Sequence, residues 1–325
     1  MENILSIENL YVNYLTNKGN LKALRNINFD IPKNSIVGVI GESGCGKSTL
    51  ISSIVGLIPE NANIVSGDIK LQNKSILHLN NNKMKKILGN NISVIFQDPM
   101  TSLNPVMSIG KQMLLSQHHE DIPKNEKIKR TLNMLDLVGI PDSKLRFNDL
   151  PHQFSGGMRQ RIMIAMAMQS NPKLLIADEP TTALDVTTEI QIMNLLKNLQ
   201  NKIGCSILFI THNLSLVADF CDYVLIMYAG VILEKGNIKN VFSNPQHPYT
   251  KKLFSCDPSQ IEEKITEFPY IKGNLPDLIN MKDGCIFSSR CEKPTHECRE
   301  GIINNKLIEY SKDHWVDHCC INCND

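Results

Sequence analysis

Ile36-Val37-Gly38-Val39-Ile40-Gly41-Glu42-Ser43-Gly44-Cys45-Gly46-Lys47-Ser48-Thr49 is the stretch that decides the fold. Its first five residues are a continuous apolar run of strand length. A loop with glycine at 41, 44 and 46 follows, and then the helical pattern Thr49 to Leu57. Strand, glycine loop and helix in that order open a nucleotide-binding α/β fold, and the loop fits G-x-x-x-x-G-K-[ST]. Glycines let backbone N–H groups close around phosphates, and the following helix N-terminus adds partial positive charge. Gly41, Ser43, Gly44, Cys45, Gly46, Lys47, Ser48 and Thr49 are therefore candidate nucleotide ligands. Lys47 is expected to reach the β- and γ-phosphates, and Ser48 to ligate Mg²⁺.

Before this unit, Leu5-Ser6-Ile7, Leu10-Tyr11-Val12 and Ile27 to Ile31 read as a small antiparallel β layer. After the strand Ser93 to Phe96 the periodicity turns helical, clearest in Lys124 to Gly139 and Met158 to Met168, so a helical subdomain is expected over about 99–170. Leu174 to Asp178, Ser206 to Thr211 and Tyr223 to Met227 are buried-strand candidates alternating with the helical segments Thr187 to Lys202 and Leu214 to Asp219. That alternation predicts a mainly parallel sheet with helices on its faces. Beyond Gly236, Pro245, Pro248, Pro258, Pro269 and Pro276 raise the proline density. The expected organisation is an α/β ATPase domain at 1–236 and an irregular, cysteine-rich extension at 237–325.

Leu174-Leu175-Ile176-Ala177-Asp178-Glu179 is an apolar strand ending in two acids. Beside a phosphate loop, Asp178 is placed to hold Mg²⁺ through water and Glu179 to orient the attacking water. Taken alone, such an ending is often only a solvated strand end; its pairing with the phosphate loop favours the catalytic reading. Ser155-Gly156-Gly157 opens a helix and offers a second anion site at a helix N-terminus. With Gln160 after it, between the two nucleotide motifs, the chain resembles the ABC transporter ATPases. That resemblance implies ATP as the nucleotide, with Ser155, Gly156, Gly157 and Gln160 forming a signature that caps ATP bound to the opposite subunit. It also makes Gln97 a Q-loop glutamine at Mg²⁺ and the attacking water, Asp185 of Ala183-Leu184-Asp185 the D-loop acid, and His212 the switch histidine. Tyr14 matches the aromatic that stacks on adenine in such proteins, although Tyr11 lies close by and either could be ordinary packing.

The rest of the composition bounds the partners. Lys+Arg 34 against Asp+Glu 33 leaves a formal charge of +1, which argues for no nucleic-acid surface. Met1-Glu2-Asn3-Ile4-Leu5 lacks the basic and apolar regions of a secretory signal, so a cytosolic chain is expected. No apolar run approaches the roughly 18 to 20 residues that cross a bilayer, so other chains would have to build any membrane pathway.

Asn244-Pro245-Gln246-His247-Pro248-Tyr249-Thr250, Gly273-Asn274-Leu275-Pro276 and Gly284-Cys285-Ile286-Phe287 resemble the oligopeptide, dipeptide and nickel importer branch. Phe154 to Val186 resembles its D-type ATP-binding subunit. The resemblance implies an F-type ATPase subunit as heterodimer partner, two transmembrane permease subunits, an extracytoplasmic solute-binding protein and a place on the cytoplasmic face of the membrane. Peptide and nickel or metallophore cargo both stay open. A soluble ABC ATPase of ribosomes or DNA would usually carry two ATPase cores or a coiled-coil insertion, and an exporter fused membrane helices; the sequence has neither.

Six of ten cysteines, Cys285, Cys291, Cys298, Cys319, Cys320 and Cys323, fall in the last 41 residues. Five and six residues separate the first three. This fits neither ferredoxin spacing nor the short C-x₂₋₄-C pairs of zinc sites, so spacing leaves iron, zinc and free thiols open. Some peptide-importer ATPases carry a four-iron cluster in this extension. The resemblance thus implies a [4Fe-4S] cluster on Cys285, Cys291, Cys298 and Cys319, with Cys320 or Cys323 as alternative fourth ligands.

Overall fold

A computed structural model describes residues 2–118, 120–182, 184–257, 269–281, 284–300 and 306–317. In chain order the elements begin with β1 (Asn3–Thr16), β2 (Gly19–Pro32), β3 (Ile36–Ile40), α1 (Lys47–Val55), β4 (Ala62–Leu71), β5 (Lys74–Ser75), α2 (Asn81–Ile87) and β6 (Ile92–Ile95). Next come α3 (Pro99–Ser102), α4 (Ile109–Ser116), α5 (Lys124–Leu137), α6 (Ser143–Arg146), α7 (Gly156–Met168), β7 (Leu174–Asp178), α8 (Val186–Ile203) and β8 (Ser206–Ile210). The last are α9 (Leu214–Phe220), β9 (Tyr223–Tyr228), β10 (Val231–Asn237), α10 (Ile238–Ser243), α11 (Pro248–Ser255), α12 (His296–Glu300), β11 (Leu307–Ser311) and β12 (His314–Asp317). Among the described residues no helix is long and apolar enough to cross a membrane.

The chain divides into two compact units, the first comprising 1–4, 31–35 and 78–210. In it β6, β7 and β8 run parallel, with Ile92 opposite Leu174 and Leu174 opposite Ser206. Leu174 to Ala177 and Ile207 to Ile210 are wholly buried, as an unbroken apolar run demands when both sheet faces are covered. The long helix α8 buries Ile192, Met193, Leu196 and Leu199, one stripe at helical spacing. Two buried glutamines knit the other helices together. Gln117 Nε2 donates to Thr131 Oγ1 of α5 (2.9 Å), and Gln169, at the end of α7, donates to the Met113 carbonyl of α4 (2.7 Å). Unpaired, such amides would cost about 1–3 kcal/mol each, so they fix which helix faces meet.

The second unit comprises 5–30, 36–77 and 211–325. One sheet has the order β2-β1-β4-β5, with β1 antiparallel to β4. In the other, β3 pairs parallel with β9, whereas β10 pairs antiparallel with both β9 and β12, and β12 with β11. Strand pairing is therefore mixed: β3 with β9, β6 with β7 and β7 with β8 are parallel, as expected, whereas β10 and a C-terminal hairpin add antiparallel pairs.

The segment expected to be irregular is likewise ordered in part into α10, α11, α12 and that hairpin. Proline density misleads here because Pro248 stands in the first turn of α11, where a missing N–H costs nothing and the fixed φ suits a helix. The region has an apolar core as well. Tyr228, Tyr249 and Phe287 are buried, with ring centroids 4.7 to 5.5 Å apart. Buried Glu234 of β10 organises the polar part: its carboxylate accepts from the backbone N–H of Gln246 (2.8 Å) and His247 (2.9 Å) and from His314 Nε2 (2.7 Å). His247 Nδ1 accepts from the Tyr249 N–H (3.0 Å) and caps α11. Burial pushes that imidazole down to about 4, so it is neutral and free to act as the cap. Asn244 to Thr250, the segment that carried the importer resemblance, is thus a structural joint built around Glu234.

Candidate functional site

Both ends of the phosphate loop are set by close packing in the second unit. A side chain at Gly41 would put its Cβ 2.2 Å from the Met227 carbonyl, so only glycine fits where β3 leaves the sheet. Gly46 takes φ 109° as the N-cap of α1 and makes no side-chain cap, so the first-turn N–H groups of that helix are left to another acceptor. Lys47 Nζ donates to the carbonyls of Gly41 (2.6 Å) and Glu42 (3.0 Å), which hold the ammonium over the loop. Cys45 is buried within the loop; burial first, offset by Lys47, pushes its thiol up, so it is neutral. Tyr14 donates to or accepts from Thr49 Oγ1 (3.2 Å), which ties the β layer to α1. Ser48 lies in the first turn of α1, and His212, exposed, belongs to the same unit as α1.

The two acids and Gln97 belong to the first unit. Asp178 ends β7 and Glu179 follows at φ 45°, in the left-handed region that costs a non-glycine residue about 1–3 kcal/mol. Its N–H donates to the Ile210 carbonyl (2.8 Å), which holds the backbone in that turn. The Glu179 carboxylate accepts from Gln97 Nε2 (2.8 Å) and from Thr182 Oγ1 (3.0 Å). Gln97, expected at Mg²⁺ and water, is thus hydrogen-bonded to the carboxylate expected to orient that water. Thr182 escaped the sequence reading, although its spacing of three residues from Glu179 across a turn could have suggested it.

Ser155 is the N-cap of α7, its hydroxyl accepting from the Met158 N–H (3.3 Å). A Cβ at Gly156 would meet no described atom within 4 Å, whereas at Gly157 it would press on Thr188 at 3.0 Å. Gln160, grouped with the signature from sequence, is buried and donates to the Pro180 carbonyl, so it braces the turn after Glu179 rather than facing the helix N-terminus. Asp185 caps α8, accepting from the Thr188 N–H (2.9 Å) and Oγ1 (2.7 Å). Those bonds, the hydroxyl's first, hold its carboxyl below the usual range and keep it charged. Ala183 lies outside the described residues.

In the C-terminal region Cys285 and Cys298 are buried and Cys291 half-buried. The Cys285 N–H donates to the Cys298 carbonyl (3.1 Å). The Cys291 thiol is pushed up, by burial first and also by the neighbouring Cys285 and Cys298. Among the described residues no three His, Cys, Asp or Glu side chains stand in a metal-binding group. Cys319, Cys320 and Cys323 lie outside the described residues.

A family described as "ABC transporter" matches residues 24–182, and one described as "Oligopeptide/dipeptide transporter, C-terminal region" matches 233–298. The dipeptide transport ATP-binding protein DppD of Lactococcus lactis is 46% identical over 89% of this chain and 83% of its own length. DppD of Bacillus subtilis is 47% identical over 90% of this chain and 87% of its own. The oligopeptide transport ATP-binding protein OppD of Escherichia coli is 43% identical over 91% and 87%. Among solved structures, cbiO1 of Clostridium perfringens, part of the ABC transporter complex cbiONQ, superimposes with TM-score 0.65 at 32% identity over 75% of this chain and 92% of that one. The ATP-binding cassette MJ0796, a dimer in a post-hydrolysis state bound to ADP and Pi, does so with TM-score 0.64 at 27% identity over 72% and 98%.

Proposed function

This chain belongs to the ABC transporter family of ATP-binding subunits, and from that premise we propose that it hydrolyses ATP to drive an importer of dipeptides or oligopeptides. The observation that carries the peptide reading is the continuity of two matches in one chain: the ATPase core is followed by the C-terminal region of peptide transporters, as in the relatives named above.

When bound, ATP with Mg²⁺ supplies the phosphoryl group and the charge that polarises it. Lys47 would trade its carbonyl partners for the β- and γ-phosphates, with the uncapped N–H groups of α1 around them. Ser48 and Asp178 would hold the metal, and Tyr14 the adenine. Gln97 would leave Glu179 for the metal as Glu179 takes up the attacking water, with Thr182 keeping the carboxylate aimed. His212 would contact the γ-phosphate.

Ser155, Gly156 and Gly157 would cap ATP held by a second subunit. Gly156 supports this, because nothing described within its own chain needs it to lack a side chain. Asp185 would face the same interface. With one phosphate loop and one signature the chain needs a partner ATPase, an F-type subunit on this reading, together with two permease chains and a solute-binding protein. It would sit peripherally on the cytoplasmic face of the membrane. In the reconstituted assembly, ATP hydrolysis should rise several-fold with peptide-loaded binding protein and stay basal with a nickel chelate; stimulation by the chelate alone would reassign the cargo.

Cys285, Cys291 and Cys298, two buried and one half-buried in the C-terminal region, would supply three thiolates of an iron–sulfur cluster whose fourth would come from Cys319, Cys320 or Cys323. Anaerobically purified protein should then be brown, with iron and sulfide in equal amounts, and Cys291→Ser should bleach it. Colourless protein with stoichiometric zinc would replace the cluster by a zinc site.

A further inference from the structure

We propose that Arg290, in the C-terminal region, is a positioning residue of the phosphate loop, which it serves by neutralising the carboxylate of Glu42. The two residues lie 248 positions apart in sequence yet form a two-pronged ion pair: Arg290 Nη1 donates to Glu42 Oε1 (3.0 Å) and Oε2 (3.1 Å). The Arg290 side chain is 4% exposed, and Glu42 is 27% exposed. The remaining donors fix the guanidinium from two sides. Nη2 donates to the Ile271 carbonyl (3.1 Å), Nε to the Lys272 carbonyl (3.0 Å), and Nη1 also reaches Tyr228 Oη (3.4 Å). The planar fork of arginine meets all these acceptors at once; a lysine ammonium on a flexible stem would not.

Glu42 is gripped at every polar group it has. Its N–H donates to Tyr249 Oη (3.2 Å), its carbonyl accepts from Lys47 Nζ (3.0 Å) and its carboxylate accepts from Arg290. On the reading of this loop as the ATP site, on which the inference rests, an acid at its second position is a liability. It places a fixed negative charge one side chain away from the ammonium that meets the phosphates. Arg290 cancels that charge and, with Tyr249, holds the turn leaving β3. The C-terminal region thereby becomes part of the nucleotide site.

If Arg290 only packed that region in place, removing the charge of Glu42 would not repair its loss. If it neutralises Glu42, it would. The test compares binding of a fluorescent ATP analogue to the full-length chain, and KM and kcat of the assembled transporter, for Arg290→Ala, Arg290→Lys and the double variant Glu42→Gln with Arg290→Ala. The single alanine variant should weaken nucleotide binding and raise KM about tenfold, the scale of one charge acting across roughly 10 Å at an effective dielectric of about 20. Its kcat should change less than KM, the lysine variant should lie between it and wild type, and the double variant should recover to within about threefold. Unchanged affinity in Arg290→Ala, or a double variant no better than the single one, would overturn the proposal. Lys47→Ala serves as control for the site itself: binding that survives it sinks the loop reading, whereas binding lost with Lys47 but indifferent to Arg290 sinks only this inference.

Discussion

Glu179→Gln should bind ATP as tightly as the parent chain while its turnover in the assembled transporter falls roughly a hundred- to ten-thousandfold, the range expected when a positioned base is removed. The substitution is nearly isosteric. The amide oxygen can still accept from Gln97 Nε2 and Thr182 Oγ1, the two donors that aim the carboxylate. The backbone constraint at φ 45°, held by the Ile210 carbonyl, is the same for both residues. What is lost is the negative charge and basicity that orient and activate water. Nucleotide binding, placed on Lys47, Ser48 and α1, should be untouched, so the variant should accumulate as a closed, ATP-loaded assembly. ATPase rate and nucleotide occupancy measured on one preparation decide it; parent-like turnover would take Glu179 out of the catalytic role.

Gly156→Asp should leave the isolated chain folded, with unchanged melting temperature and ATP affinity, and yet reduce turnover of the assembly at least about a hundredfold, the loss typical when a phosphate-stabilising group is removed. Room for the side chain exists, since a Cβ there meets no described atom within 4 Å, and Gly156 has no positive φ to forbid it. An acid in the first turn of a helix even interacts favourably with the helix dipole, by about 0.3–1 kcal/mol. The harm arises only if another subunit's γ-phosphate comes to that helix end, where the new carboxylate would repel it. A variant that is inactive as an isolated chain in ATP binding, or fully active in the assembly, would show that the signature does not face a second subunit's nucleotide.

Much of this protein was legible locally. Ile36 to Thr49 carries its own strand, loop and helix, and Leu174 to Glu179 its own strand and paired acids, because apolar runs, glycine spacing and terminal charges act between neighbours in sequence. The helix start at Ser155 belongs to the same local class. In the C-terminal extension, proline density does not mean irregularity. Pro248 starts a helix there, and burial of Tyr249, Phe254 and Phe287 supplies a core that no periodicity announced.

By itself, then, the sequence determined the phosphate loop, the acidic strand end, the order of the ATPase motifs and the helices α1, α5, α7, α8 and α9, all set by interactions between near neighbours in sequence. Only the tertiary structure decided what those motifs lean on. Glu234 gathers Gln246, His247 and His314, Gln160 turns inward to Pro180, Gln97 holds Glu179, and Arg290 reaches back to Glu42. The reason is physical. A buried carboxylate or amide must find partners wherever the chain brings them, and across separations of up to 248 residues nothing in local spacing says which donor will arrive.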